Sequence, residues 1–138
     1  MYKINKDFYP VIIINFDSVD NNDDTLEEYK KDYLKLLINA KKDDVKLIMI
    51  YNVMNLEMDI DTTRSYNLYL FFQNIKKENF ENVRKICILN NNTSINLMIK
   101  SLTSLNKIRD DVPFKIFSKE TELLKYINNK YNKTIFLS

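Results

Sequence analysis

Residues 10–16 read PVIIINF and residues 45–51 read VKLIMIY. Both runs are short, nearly continuous in apolar side chains and rich in β-branched residues. That is the pattern of strands covered on both faces, as in a parallel sheet. Between them, the Asp- and Asn-dense stretch Asp17–Asp24 reads as a loop. Leu26, Tyr29, Tyr33, Leu34, Leu37 and Ile38 then recur at spacings of three and four. These make an amphipathic helix ending near Ala40, with Asp24 and Glu27, or Thr25 and Glu28, as its capping pair. Strand, helix and strand in this order form a βαβ unit and set the class as α/β.

The same alternation continues outward. Asn52–Asp61 is a connection, and Thr62 to about Glu78 is a second helix with Tyr66, Tyr69, Leu70 and Ile75 on one face. Val83–Leu89, VRKICIL, is a third strand, followed by a helix striped by Ile95, Met98, Ile99, Leu102 and Leu105. Pro113–Phe117 is a short strand, and Ser118 caps a last helix with Glu120 and Glu122 in its first turn. Tyr2–Ile4 is a short edge strand, and Thr134–Ser138 is a strand, a docking segment or a disordered end. The expected fold is one α/β domain over residues 1–138, with 132–138 as a flexible or docking tail. Its mainly parallel sheet has four or five strands with helices on both faces. The parallel strands lie at about Val11–Phe16, Lys46–Tyr51, Arg84–Leu89 and Phe114–Phe117.

Composition removes many functions. The 138 residues contain no Gly, no His and one Cys. Without Gly there is no dinucleotide fingerprint and no phosphate-cradling P-loop. Without His there is no Ser-His-Asp chemistry and no His-containing zinc site. One Cys forms no disulfide framework. A net charge of +2 points to no nucleic-acid partner. No apolar run approaches a membrane span, and MYKINKDFYP lacks the apolar core of a signal peptide. A cytoplasmic protein without cofactor or metal is the expectation. The Asn, Lys and Ile bias, with only three Arg, is what AT-rich codons produce.

From Leu47 to Phe72 the chain reads LIMIYNVMNLEMDIDTTRSYNLYLFF. This resembles the centre of a STAS domain, the fold of the bacterial anti-sigma-factor antagonists and their SpoIIAA-like relatives. There a strand ending in an acidic residue leads through a short loop to Asp-Ser-Ser/Thr-Gly at a helix start. Asn52 stands where that family usually has Asp, Leu56 at the loop hydrophobe, and Asp61-Thr62-Thr63 at Asp-Ser-Ser. Arg64 replaces the Gly, which fits the SpoIIAA-like branch, and the loop is one residue longer than the phosphorylatable pattern. KICILNN and VPFKIFSKETELLKYI resemble the family's next strand and its closing strand and helix, so the resemblance spans roughly residues 10–129. It implies a non-enzymatic interaction or regulatory module.

The candidate residues follow. Asp61 is a helix N-cap, and a phosphate on Thr62 or Thr63 would meet free helix-end N–H groups and the Arg64 charge. Asn52 and Asp59 belong to the loop that shapes specificity. Asp59 and Asp61 with Glu57 match no EF-hand spacing, and the Asp17–Asp24 cluster lacks the later Asp of a response-regulator receiver. Cys87 reads as a small buried hydrophobe. Tyr66, Leu68, Tyr69, Leu70, Phe71, Phe72 and Ile75 point in too many directions for one sheet face to cover, so Tyr66, Leu68, Tyr69 and Phe72 form the expected interaction surface. Another protein or a second copy in a homodimer is the expected partner. The alternatives are a small apolar-ligand or lipid-binding module and, further off, a carboxylate-based enzyme.

Overall fold

A computed structural model describes residues 2–16, 23–54, 82–91 and 114–137, together with Thr93, Asn96, Leu97 and Lys100. The elements in chain order are β1 (Tyr2–Phe8), β2 (Val11–Phe16), α1 (Asp23–Asp43), β3 (Leu47–Asn52), β4 (Val83–Leu89), β5 (Phe114–Phe117) and α2 (Glu120–Tyr131). The five strands form one mixed sheet in the order β1-β2-β3-β4-β5. β2 through β5 run parallel, with Ile13 opposite Ile50 and Ile50 opposite Cys87. The chain is therefore α/β, and the parallel strands lie within one residue of the expected spans.

β1 pairs antiparallel with β2 and extends to Phe8, well past the expected Ile4. Its Lys3, Asn5, Lys6 and Asp7 hide it from a hydrophobic pattern. Such polar residues suit an edge strand, whose free backbone groups would otherwise invite another chain. Two phenols pin the hairpin to α1. The Tyr2 hydroxyl donates to Asp32 Oδ2 at 2.7 Å, and the Tyr9 hydroxyl donates to Asp43 Oδ2 at 2.9 Å.

Both faces of the parallel strands are covered, which is why their sequences are continuous rather than alternating. Ile12, Ile14, Met49, Tyr51 and Ile88 meet Tyr29, Tyr33, Leu36, Leu37 and Ala40 of α1. Val11, Ile13, Ile50, Cys87 and Leu89 meet Leu123 and Ile127 of α2 on the other face. Residues 132–137, after α2, add Ile135 and Leu137 to that second layer.

Three helix details differ from the sequence reading. Leu34 and Ile38 are 46% and 65% exposed rather than part of the buried stripe. At about 100° per residue they fall on the far side of α1 from Tyr29, Tyr33 and Leu36. α1 starts at Asp23, so Asp24 and Thr25 lie inside its first turn, and it runs to Asp43 rather than Ala40. It closes with the Asp44 N–H on the Lys41 carbonyl at 3.2 Å and the Val45 N–H on the Ala40 carbonyl at 3.0 Å. Asp44 takes φ 53° to do so. Glycine usually fills this left-handed position, and in a chain without glycine Asp44 does so here and Asn132 (φ 53°) after α2.

The third difference is a cap. Lys119, not Ser118, precedes the first turn of α2, and its side chain makes no capping bond. Its carbonyl already accepts from the Leu123 N–H at 3.2 Å, which places the helix start one residue later than expected. Lys119→Asp is expected to raise stability by about 1 kcal/mol in urea denaturation, by supplying an acceptor at the positive end of the helix. No gain would mean that the first turn is already satisfied.

Candidate functional site

Ligands of open α/β sheets gather outside the carboxyl ends of the parallel strands. Here that edge is lined by amides. Asn15 near the end of β2 and Asn52 at the end of β3 are partners in register. Asn52 Nδ2 donates to Asn15 Oδ1 at 2.7 Å, while Asn52 Oδ1 accepts the Met54 N–H at 3.2 Å. The second bond closes an Asx-type turn at the end of β3. Asn90, the residue after β4, is buried, and its N–H donates to the Phe117 carbonyl at 2.9 Å. The Asn96 side-chain Nδ2 donates to the Asn90 carbonyl at 2.8 Å. The Val53 N–H reaches the Leu89 carbonyl at 3.0 Å, extending the ladder one step beyond β3.

These bonds fix where the chain leaves each strand. Neutral amides donate and accept hydrogen bonds but neither titrate nor transfer protons near pH 7. Of the site residues expected from the sequence, Asn52 is described, and it acts as a brace between β2 and the turn after β3. Asp59, Asp61, Thr62, Thr63, Arg64, Tyr66, Leu68, Tyr69 and Phe72 lie outside the described residues. They follow directly on the Asn52 turn in the chain.

Cys87 is fully buried, and burial pushes its thiol up to about 11 despite the nearby charges of Lys85, Lys115 and Lys130. A thiol so protonated is no nucleophile at neutral pH. Among the described residues no three His, Cys, Asp or Glu side chains gather closely enough to hold a metal ion. No helix among them is long and apolar enough to cross a membrane.

A second cluster escaped the sequence reading. It sits at the amino-terminal end of β4, on the face covered by α2. The ammonium groups of Lys85, Lys115 and Lys130 lie 5.8, 4.4 and 5.5 Å from the centre of the Tyr126 ring. The Arg84 guanidinium lies 5.0 Å from the Tyr131 ring centre, and the two tyrosine rings meet edge to face at 6.1 Å. One signal was legible: in VRKICIL a lysine falls inside an otherwise buried strand. The spacing of Tyr126 and Lys130, one helical turn apart, was the other. Compared with family models, curated proteins and solved structures, the chain matches none of the three.

Proposed function

We propose that the chain is a non-enzymatic interaction module of STAS/SpoIIAA-like type. It docks another protein, or a second copy of itself, through the surface that follows the carboxyl end of β3. The observation that carries this reading is the Asn15–Asn52 brace with its Asx-type turn. It fixes the direction in which the chain leaves β3, and the segment with Asp61, Thr62, Thr63 and Arg64 and the aromatic set Tyr66, Leu68, Tyr69 and Phe72 follows in the sequence. Consecutive parallel strands followed by a closing strand and helix also agree with the element order that the resemblance implies. Phosphorylation of Thr62 or Thr63 at a helix start would regulate the same surface by adding charge beside it.

The test is association. Self-association through an aromatic patch hides apolar area worth roughly 1.5–3 kcal/mol per large side chain. Phe72→Glu or Leu68→Glu should therefore convert a wild-type dimer into a folded monomer, read by light scattering with circular dichroism as the folding control. A wild type that runs as a compact monomer at high concentration removes the homodimer. If the same variants also leave binding to a partner unchanged, the docking surface itself is wrong.

A further inference from the structure

We propose that Lys85, Lys115, Lys130 and Arg84, gathered round Tyr126 and Tyr131, form a binding site for a phosphate-type oxyanion. The site lies at the opposite end of the sheet from the asparagine edge and does not depend on the docking role of that edge.

A β-bulge lies at its edge. Leu47 pairs with Val83 but Ile48 pairs with Lys85, so Arg84 is an extra residue in β4. In an unbroken strand Val83 and Lys85 would share a face. Lys85 alternates with Cys87 and Leu89 onto the face under α2, against Tyr126, and the bulge turns Val83 toward α1 instead. Bulges commonly re-aim a side chain in this way. Lys85 is only 7% exposed yet has no carboxylate within ion-pair distance among the described residues. Lysine is almost never buried to that degree without a partner.

The surroundings of Lys85 deepen the imbalance. Lys115 and Lys130 direct their charges at the same ring, and Arg84 at the neighbouring one. None of the three is in an ion pair with a described residue. Cation–π attraction to tyrosine offsets only part of the repulsion among four like charges. The Tyr126 hydroxyl is buried and makes no hydrogen bond of good geometry, so it stands ready as a donor. Burial raises the Tyr126 pKa, but the neighbouring Tyr131 hydroxyl, Lys130 and Lys85 outweigh this and lower it.

Lys115, Lys130 and Arg84 are exposed, so the cluster opens to solvent while Lys85 forms its floor. Three point-charge ammonium groups, one guanidinium fork and a phenol donor suit a multiply charged tetrahedral anion better than a single carboxylate. The group bound would be the phosphate of a small molecule, with a lipid headgroup as the competing source.

Inorganic pyrophosphate is the probe, titrated at constant ionic strength and followed by amide NMR shifts and Tm. Saturable binding is expected, with shifts centred on Arg84, Lys85, Lys115 and Tyr126 and a rise in Tm by mass action. The double variant Lys115→Gln/Lys130→Gln, at exposed positions, should lower affinity about tenfold or more, whereas Lys35→Gln on α1 should not. Lys85→Met should abolish binding. If it fails to fold, the double variant decides alone. No saturable binding at millimolar pyrophosphate, or unchanged affinity in the double variant, overturns the site. So does association with phosphatidylserine vesicles alone, because that would be surface electrostatics without a discrete site.

Discussion

Deletion of residues 133–138 is expected to lower stability by about 3–5 kcal/mol, close to half the total of an ordinary domain. Ile135 and Leu137 are 3% and 6% exposed and complete the apolar layer that also holds Val11, Ile13, Leu123 and Ile127. Phe136 points outward between them, with its ring 5.8 Å from Phe8 at the end of β1. Burying an aliphatic side chain of this size is worth roughly 1.5–3 kcal/mol, and deletion would also bare the strands beneath. Urea denaturation measures the loss, and Ile135→Ala/Leu137→Ala should reproduce most of it with the chain length intact. A loss below about 1 kcal/mol would mean that the segment lies on the sheet without sealing it.

Tyr51→Ala should cost about 3–5 kcal/mol. Tyr51 is fully buried in β3, its ring stacked 6.2 Å from Phe16 and its hydroxyl 2.7 Å from that of Tyr29. Tyr51→Phe, which removes only the oxygen, should cost about 1 kcal/mol, the net worth of one hydrogen bond. The two variants also separate in alkali. Burial, reinforced by Tyr29, raises the Tyr51 pKa well above that of a free phenol, so the unfolded chain releases this proton at lower pH than the folded one. The stabilisation is therefore complete below pH about 10 and is lost above it, at up to about 1.4 kcal/mol per pH unit for each such tyrosine. Tyr51→Phe should flatten that alkaline slope. An unchanged slope would assign it to the other raised phenols, Tyr2, Tyr9 and Tyr131.

The parallel strands were legible because VIIINF, LIMIY and ICIL can only be buried on both sides, and their order carried the α/β class with it. β1 was mostly illegible because an edge strand is stabilised by backbone pairing and two phenol–carboxylate bonds, which leave no hydrophobic period. The inward arc of α1 was misread for a related reason. Leu34 and Ile38 satisfy local spacing, but only the sheet decides which face is covered, and it covers Leu36 and Ala40. Lys85 shows a related limit at the proposed oxyanion site. Alternation with Cys87 and Leu89 sets the face of the lysine, but the ring of charges around Tyr126 comes from β5 and α2, which no local pattern of β4 announces. Of the proposed docking edge, Asn52 stands out in the sequence for its place in a family-like motif. Its pairing with Asn15, 37 residues away, belongs to the register of β2 on β3.

Hydrogen–deuterium exchange of the wild-type chain, compared between dilute and concentrated solution, tests the proposed docking edge most directly. The account predicts that amides from Asn52 through Phe72 gain protection on association, while those of α2 and residues 132–137 do not change. Protection gained on α2 instead, or identical exchange in a chain that light scattering shows to be monomeric throughout, would contradict it.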